Sequence, residues 1–94
     1  MQPQTRSINL MISGRVQGVG MRYYLVGNAR GLGLVGWVHN RTDGRVECMA
    51  QGDSSSIDQF INAARQGPPA ARIDDIQVSD TDHQPDLKSF EVRY

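Results

Sequence analysis

From Ser7 to Ser13 the chain alternates, with Ile8, Leu10 and Ile12 on one side, and this period of two predicts a half-buried strand. A glycine-punctuated segment, Gly14 to Gly20, follows. The period then changes. Met21, Tyr24, Leu25, Asn28, Ala29 and Leu32 recur at helical spacing and form a mostly apolar stripe, with Gly31 and Gly33 placed to stop the helix. Leu34 to Asn40 is rich in strand formers, and Arg45 to Ala50 alternates through Val46, Cys48 and Ala50. Thr42-Asp43-Gly44 between them carries the Asp-Gly turn signal, so the two segments read as a hairpin. Ser55-Ser-Ile-Asp58 has capping-box spacing ahead of a second stripe, Ile57, Phe60, Ile61 and Ala64, and Gly67-Pro68-Pro69 ends it. Ile73, Ile76 and Val78 mark a further strand. A polar turn from Ser79 to Asp86 leads to an alternating last segment, Phe90 to Tyr94.

The order is therefore strand, helix, strand, strand, helix, strand, with an extra terminal strand. It predicts an α+β, ferredoxin-like two-layer sandwich with both helices on one face of a mostly antiparallel sheet. No repeat, low-complexity tract or linker interrupts it, and 94 residues fit one small domain spanning 1–94. Architecture of this kind carries no function by itself.

Composition narrows the classes. Ten Lys and Arg balance ten Asp and Glu. A neutral chain gains little from counterion release, which disfavours general nucleic-acid or anionic-membrane binding. A single cysteine, Cys48, builds neither an internal disulfide nor a thiolate metal site, and its alternation with Val46 and Ala50 places it inward as a small hydrophobe. His39 and His83 lack zinc-ligand spacing, and the adjacent Asp74 and Asp75 face different ways on an extended chain. Neither an apolar leader behind Met1–Arg6 nor a run of about eighteen apolar residues is present. The expectation is a cytoplasmic, reduced protein, monomeric by default, with no metal, cofactor, nucleic acid or membrane among its partners.

Candidate chemistry concentrates between the first strand and the first helix. Glycines before a helix let several backbone N–H groups converge at the positive end of the helix dipole, which makes an anion cradle. Gly18 and Gly20 are the positions able to take positive φ. Arg22 in the first helical turn has the wrong sign for the dipole unless an anion binds there, when its guanidinium grips two phosphate oxygens. The alternative is a tight connection with an exposed arginine. Asn40 closes the second strand; its amide offers donor and acceptor to a water, or serves turn chemistry beside Arg41-Thr-Asp-Gly44. His39 points to the other sheet face and reads as a surface residue, Trp37 and Tyr24 as packing residues, and Arg15 as an exposed base beside the cradle.

Two phosphate-loop patterns are excluded. Gly14 and Gly18 are separated by three residues, not four, and no lysine follows, so the loop is not of the triphosphate-binding type. Gly31-Leu-Gly-Leu-Val-Gly36 matches G-x-G-x-x-G but runs from helix to strand, the reverse of the dinucleotide-binding context. RNA-recognition domains share the element order, yet the third strand, Arg45 to Ala50, has no stacking aromatic and carries Glu47.

Together these segments resemble the acylphosphatase family, whose pattern is roughly G-[RK]-V-Q-G-V-x-F-R followed by G-L-x-G-W-V-x-N-x-x-D-G-x-V-E. The chain reads Gly14-Arg-Val-Gln-Gly-Val-Gly-Met-Arg22 and then Gly33-Leu-Val-Gly-Trp-Val-His-Asn-Arg-Thr-Asp-Gly-Arg-Val-Glu47. Gly67-Pro-Pro and Phe90-Glu-Val-Arg-Tyr94 are also similar to family members, and Met21 replaces the usual aromatic. The resemblance implies hydrolysis of small acyl phosphates without metal or cofactor. It implies Arg22 as the phosphate-gripping arginine, Asn40 as the water-positioning asparagine, and the backbone of Gln17, Gly18, Val19, Gly20, Met21 and Arg22 as the phosphate cradle. The alternative is a phosphate- or anion-binding module of the same fold without turnover. A chain running from Met1 to a final strand, with Arg22 and Asn40 both present, favours the free-standing enzyme.

Overall fold

The computed structural model describes residues 4–94; Met1–Pro3, on which the leader reading partly rests, lie outside them. Seven elements follow in order: β1 (Thr5–Arg15), α1 (Met21–Gly31), β2 (Val35–Asn40), β3 (Val46–Asp53), α2 (Ser54–Gln66), β4 (Arg72–Asp80) and β5 (Phe90–Val92). The strands form one sheet in the order β4-β1-β3-β2-β5. Every neighbouring pair is antiparallel except β2 and β5, which run parallel. This is the α+β, ferredoxin-like arrangement expected from the periodicity.

Alternation sets the faces. Ile8, Leu10 and Ile12 of β1, Val38 of β2, and Val46, Cys48 and Ala50 of β3 are fully buried on one side. There they share a core with Met21, Leu25, Val26 and Ala29 of α1 and Ile57, Phe60 and Ala64 of α2. Both helices therefore cover the same face. At roughly 1.5–3 kcal/mol for each large aliphatic side chain removed from water, this single layer is the main stabilising contribution. Tyr24 is only partly buried and ties the helices together, its hydroxyl donating to the Ala63 carbonyl at 2.7 Å.

Helix α1 ends as the glycines imply. Leu34 N–H reaches Ala29 O at 2.9 Å and Gly33 N–H reaches Arg30 O at 3.1 Å, the paired bonds of a Schellman stop. The start of α2 differs from expectation. Strand β3 runs on to Asp53, and Asp53 is the N-cap, its carboxylate accepting from Ser55 N and Ser55 Oγ. Ser55 therefore lies inside the helix, and Asp58, expected to close a capping box, instead pairs with Arg6 at 3.0 Å. Aspartate is as good a cap as serine, so the longer strand decided which was used.

The segment between β4 and β5 joins opposite edges of the sheet. It is not merely a polar turn. Gln51, buried on the face away from the helices, accepts from Ser7 Oγ and Gln84 N, both at 2.8 Å, and donates to Gln84 O at 3.0 Å. A buried amide satisfied on both atoms pins the crossing segment to the sheet. It does so at the end opposite the Gly14–Gly20 loop, because Ser7 lies near the start of β1.

Candidate active site

Beyond Arg15 the chain leaves the sheet through the buried Val16 and bends from Gln17 to Gly20. Among the described residues, no backbone N–H from Gln17 to Gly20 donates to a backbone carbonyl. Gly18 and Gly20 take φ of 73° and 79°, the left-handed values expected of them. Nothing lies within 4 Å of where their Cβ atoms would stand, so backbone conformation, not crowding, requires glycine there. Gly20 is also the N-cap of α1, with no side-chain cap bond and no acidic residue in the first turn. The leading N–H groups of α1 and its positive dipole end are thus left without a protein anion. Val19 packs against the core and Met21 lies within it, so their side chains hold the bend from beneath.

Gln17 has a second role that its loop position did not reveal. Its Nε2 donates to Arg41 O at 2.7 Å and to Arg45 O at 3.0 Å. The bend is thereby fastened to the hairpin that carries Asn40. Across the sheet, Ile12, Val46 and Asn40 are aligned in register, which places the loop leaving β1 and the end of β2 at one end of the molecule. Helix α1 packs against β2, completing the grouping.

Arg22 sits half-buried in the first turn of α1, 5.5 Å from the Tyr94 ring centroid. Among the described residues it pairs with no carboxylate. A cation at a helix N-terminus without a counter-charge is a favourable place for an anion. Asn40 lies on the Val38 side of β2, and its Oδ1 is buried with no hydrogen-bond partner among the described residues. An unpaired buried acceptor costs about 1–3 kcal/mol, and such atoms cluster where function requires them. The neighbouring cations are neutralised locally: Asp43 accepts from Arg45 N and Arg45 Nη2 and from Arg41 Nε at 3.0 Å. The Arg45 bonds hold the Asp43 carboxyl far below its ordinary range.

His39 points away from Asn40 as expected, but it is not simply a surface residue. Its Nε2 lies 2.9 Å from Glu47 Oε1. A carboxylate only accepts, so Nε2 carries the proton. Glu47 also accepts from Asn9 Nδ2 at 3.1 Å and lies 3.4 Å from Arg41 Nη1. The His39 bond first, then Asn9 and Arg41, lowers the Glu47 carboxyl below the usual range against the opposing effect of burial. Cys48 is wholly buried and burial pushes its thiol upward, which leaves it an inert core residue. Trp37 belongs to the outer sheet face, edge-on to His39 with Arg93 over its ring. Among the described residues no three His, Cys, Asp or Glu side chains gather as a metal-ligand set. No helix there is long and apolar enough to cross a membrane.

The fold is a small ferredoxin-like α+β sandwich, and among the described residues a capless helix start, an arginine without a carboxylate partner and an unpartnered amide oxygen lie at one end of it. The family model for acylphosphatase matches residues 8–92. The acylphosphatase of Acaryochloris marina (strain MBIC 11017) is 45% identical over 92 residues, 98% of each chain. The crystal structure of acylphosphatase from Bacillus subtilis superposes with a TM-score of 0.91 at 35% identity, covering 97% of this chain and 100% of that one. The acylphosphatase structure from Coxiella burnetii gives 0.91 at 33% identity, covering 99% of each. The chain belongs to the acylphosphatase family, and its enzyme class is that of the family.

Proposed function

We propose that the protein hydrolyses small acyl phosphates to carboxylate and inorganic phosphate through Arg22, the amides of Gln17 to Arg22, and Asn40. Loop amides and the Arg22 guanidinium hold the three phosphoryl oxygens as charge redistributes among them. Asn40 orients a water in line with the departing carboxylate. The water oxygen forms a bond to phosphorus, the bond to the acyl oxygen breaks, and the water proton passes to a phosphate oxygen of the substrate. A carboxylate leaves readily, so positioning and charge stabilisation suffice without a protein acid or base. The placement of Asn40 at the end of β2, next to the Arg41 carbonyl by which Gln17 fastens the loop to the hairpin, is the observation that carries this reading.

Hydrolysis of benzoyl phosphate in excess chelator tests it. Wild type should turn over. Arg22→Ala should lose about 10²–10³-fold in rate and weaken inhibition by inorganic phosphate. Asn40→Ala should lose about 10²-fold or more in kcat with phosphate inhibition nearly intact. Folded wild type that binds phosphate yet shows no turnover would overturn the reaction in favour of an anion-binding module. Loss of phosphate binding in folded Asn40→Ala would overturn the water-holding role.

A further inference from the structure

Among the described residues no protein group holds the Asn40 side-chain oxygen, so the backbone of residues 39–41 fixes where the amide stands. That stretch is anchored from two sides. On the loop side, Gln17 Nε2 takes the Arg41 carbonyl at 2.7 Å. On the outer sheet face, the residues flanking Asn40 both reach one carboxylate oxygen: His39 Nε2 lies 2.9 Å and Arg41 Nη1 3.4 Å from Glu47 Oε1. The second oxygen, Oε2, accepts from Asn9 Nδ2 at 3.1 Å, which ties the group to β1. Glu47 sits on β3 directly opposite His39 in register, and its side chain is only 20% exposed. Charge-assisted bonds of this kind are short and directional, and a partly buried one is weakly screened.

We infer that Glu47 is a positioning residue for the reaction: by gathering His39 and Arg41 on the outer face it fixes the backbone between them and so aims Asn40. This inference rests on the water-holding reading of Asn40. Glu47 touches neither phosphate nor water in this role; it acts through its neighbours. A purely structural carboxylate joining β1, β2 and β3 would affect stability and leave the turnover of folded protein unchanged. The positioning role affects kcat and spares phosphate binding, because the cradle is built from other residues.

The test compares kcat for benzoyl phosphate and inhibition by inorganic phosphate in folded variants at a temperature well below their unfolding transitions. Glu47→Gln should lower kcat about tenfold and leave the phosphate inhibition constant within about twofold. His39→Leu breaks the same clamp from the other side and should behave alike, which keeps the test open if Glu47→Gln does not fold. His39→Gln, whose amide nitrogen can replace Nε2 as donor, should recover most of the loss. In an Asn40→Ala background, Glu47→Gln should cost nothing further, since the residue it positions is gone. Wild-type kcat in both Glu47→Gln and His39→Leu, with Asn40→Ala impaired, would overturn the clamp and leave the water-holding reading intact. Losses that multiply in the double variant would also overturn it. Wild-type kcat in Asn40→Ala would overturn the water-holding reading and the clamp with it.

Discussion

Gly20 lies in the loop at the Asn40 end of the sheet and Gly36 in β2 near the Gln51 end, and their reasons for being glycine differ. At Gly20 the space for a side chain is free and only the left-handed φ of 79° demands glycine. At Gly36 an added Cβ would stand 1.9 Å from the Met49 carbonyl oxygen and 3.0 Å from the Phe90 ring. Gly20→Ala should therefore cost roughly 1–2 kcal/mol of stability and weaken inhibition by phosphate, with Gly20→Asn milder because asparagine tolerates that conformation. Gly36→Ala should cost about 3 kcal/mol or more by forcing β2 from β3, and asparagine there should be no gentler. Urea unfolding of the four variants checks the contrast. Equal behaviour of alanine and asparagine at Gly20 would sink the conformational account. Gly36 also explains the misleading glycine pattern from Gly31: its last member exists for close backbone approach between strands, not for a dinucleotide.

At the scale of elements, what was legible in the sequence was whatever a single segment expresses by itself. The alternation of Ile8, Leu10 and Ile12, the stripe of Met21, Leu25 and Ala29, and the glycines at 18 and 20 each state their own conformation. The conformation of the Gly14–Gly20 loop was readable for that reason. Features that depend on pairing were not. The cap of α2 was misplaced because the length of β3 is set by its register with β1, where Asp53 lies opposite Thr5. In the sequence Glu47 entered only as an acid that disfavoured RNA binding, whereas the sheet register places it opposite His39 and a cross-strand hydrogen bond joins it to Asn9. Its depressed carboxyl also makes a pH prediction with a definite sign. A folded-state value below the unfolded one stabilises the fold above the unfolded value, near 4.3, and that stabilisation is lost as pH falls through the folded value. Between pH of about 5 and 3, wild type should therefore lose stability more steeply than Glu47→Gln, as thermal melts across that range would show. Parallel curves would mean that the carboxylate gains nothing from its three donors.

On the scale of the whole molecule, the two ends of the sheet do different work. The loop after β1, the start of α1 and the hairpin after β2 gather the residues of the proposed site at one end. Gln51 and the crossing segment close the other, and that segment delivers β5 to the far edge. Only three residues long, β5 is held by more than its pairing with β2. Phe90 is fully buried with its ring 5.7 Å from that of Phe60, and its carbonyl accepts from Arg30 Nε at 3.1 Å. This strand thus fastens α1, α2 and β2 together without contributing any group to the proposed cradle. Phe90→Ala should cost about 3–5 kcal/mol, since the void it leaves lies between two helices and a strand that cannot all close on it. For a domain of this size the melting temperature should fall by at least about 12 °C. Inhibition by phosphate, measured well below the new transition, should stay close to wild type, because the cradle is anchored by Val16, Met21 and Gln17 instead. A thermal melt paired with phosphate inhibition separates the two roles. A Phe90→Ala protein that melts like wild type, or one that keeps its fold but loses phosphate, would show that the edge strand and the cradle are not divided in this way.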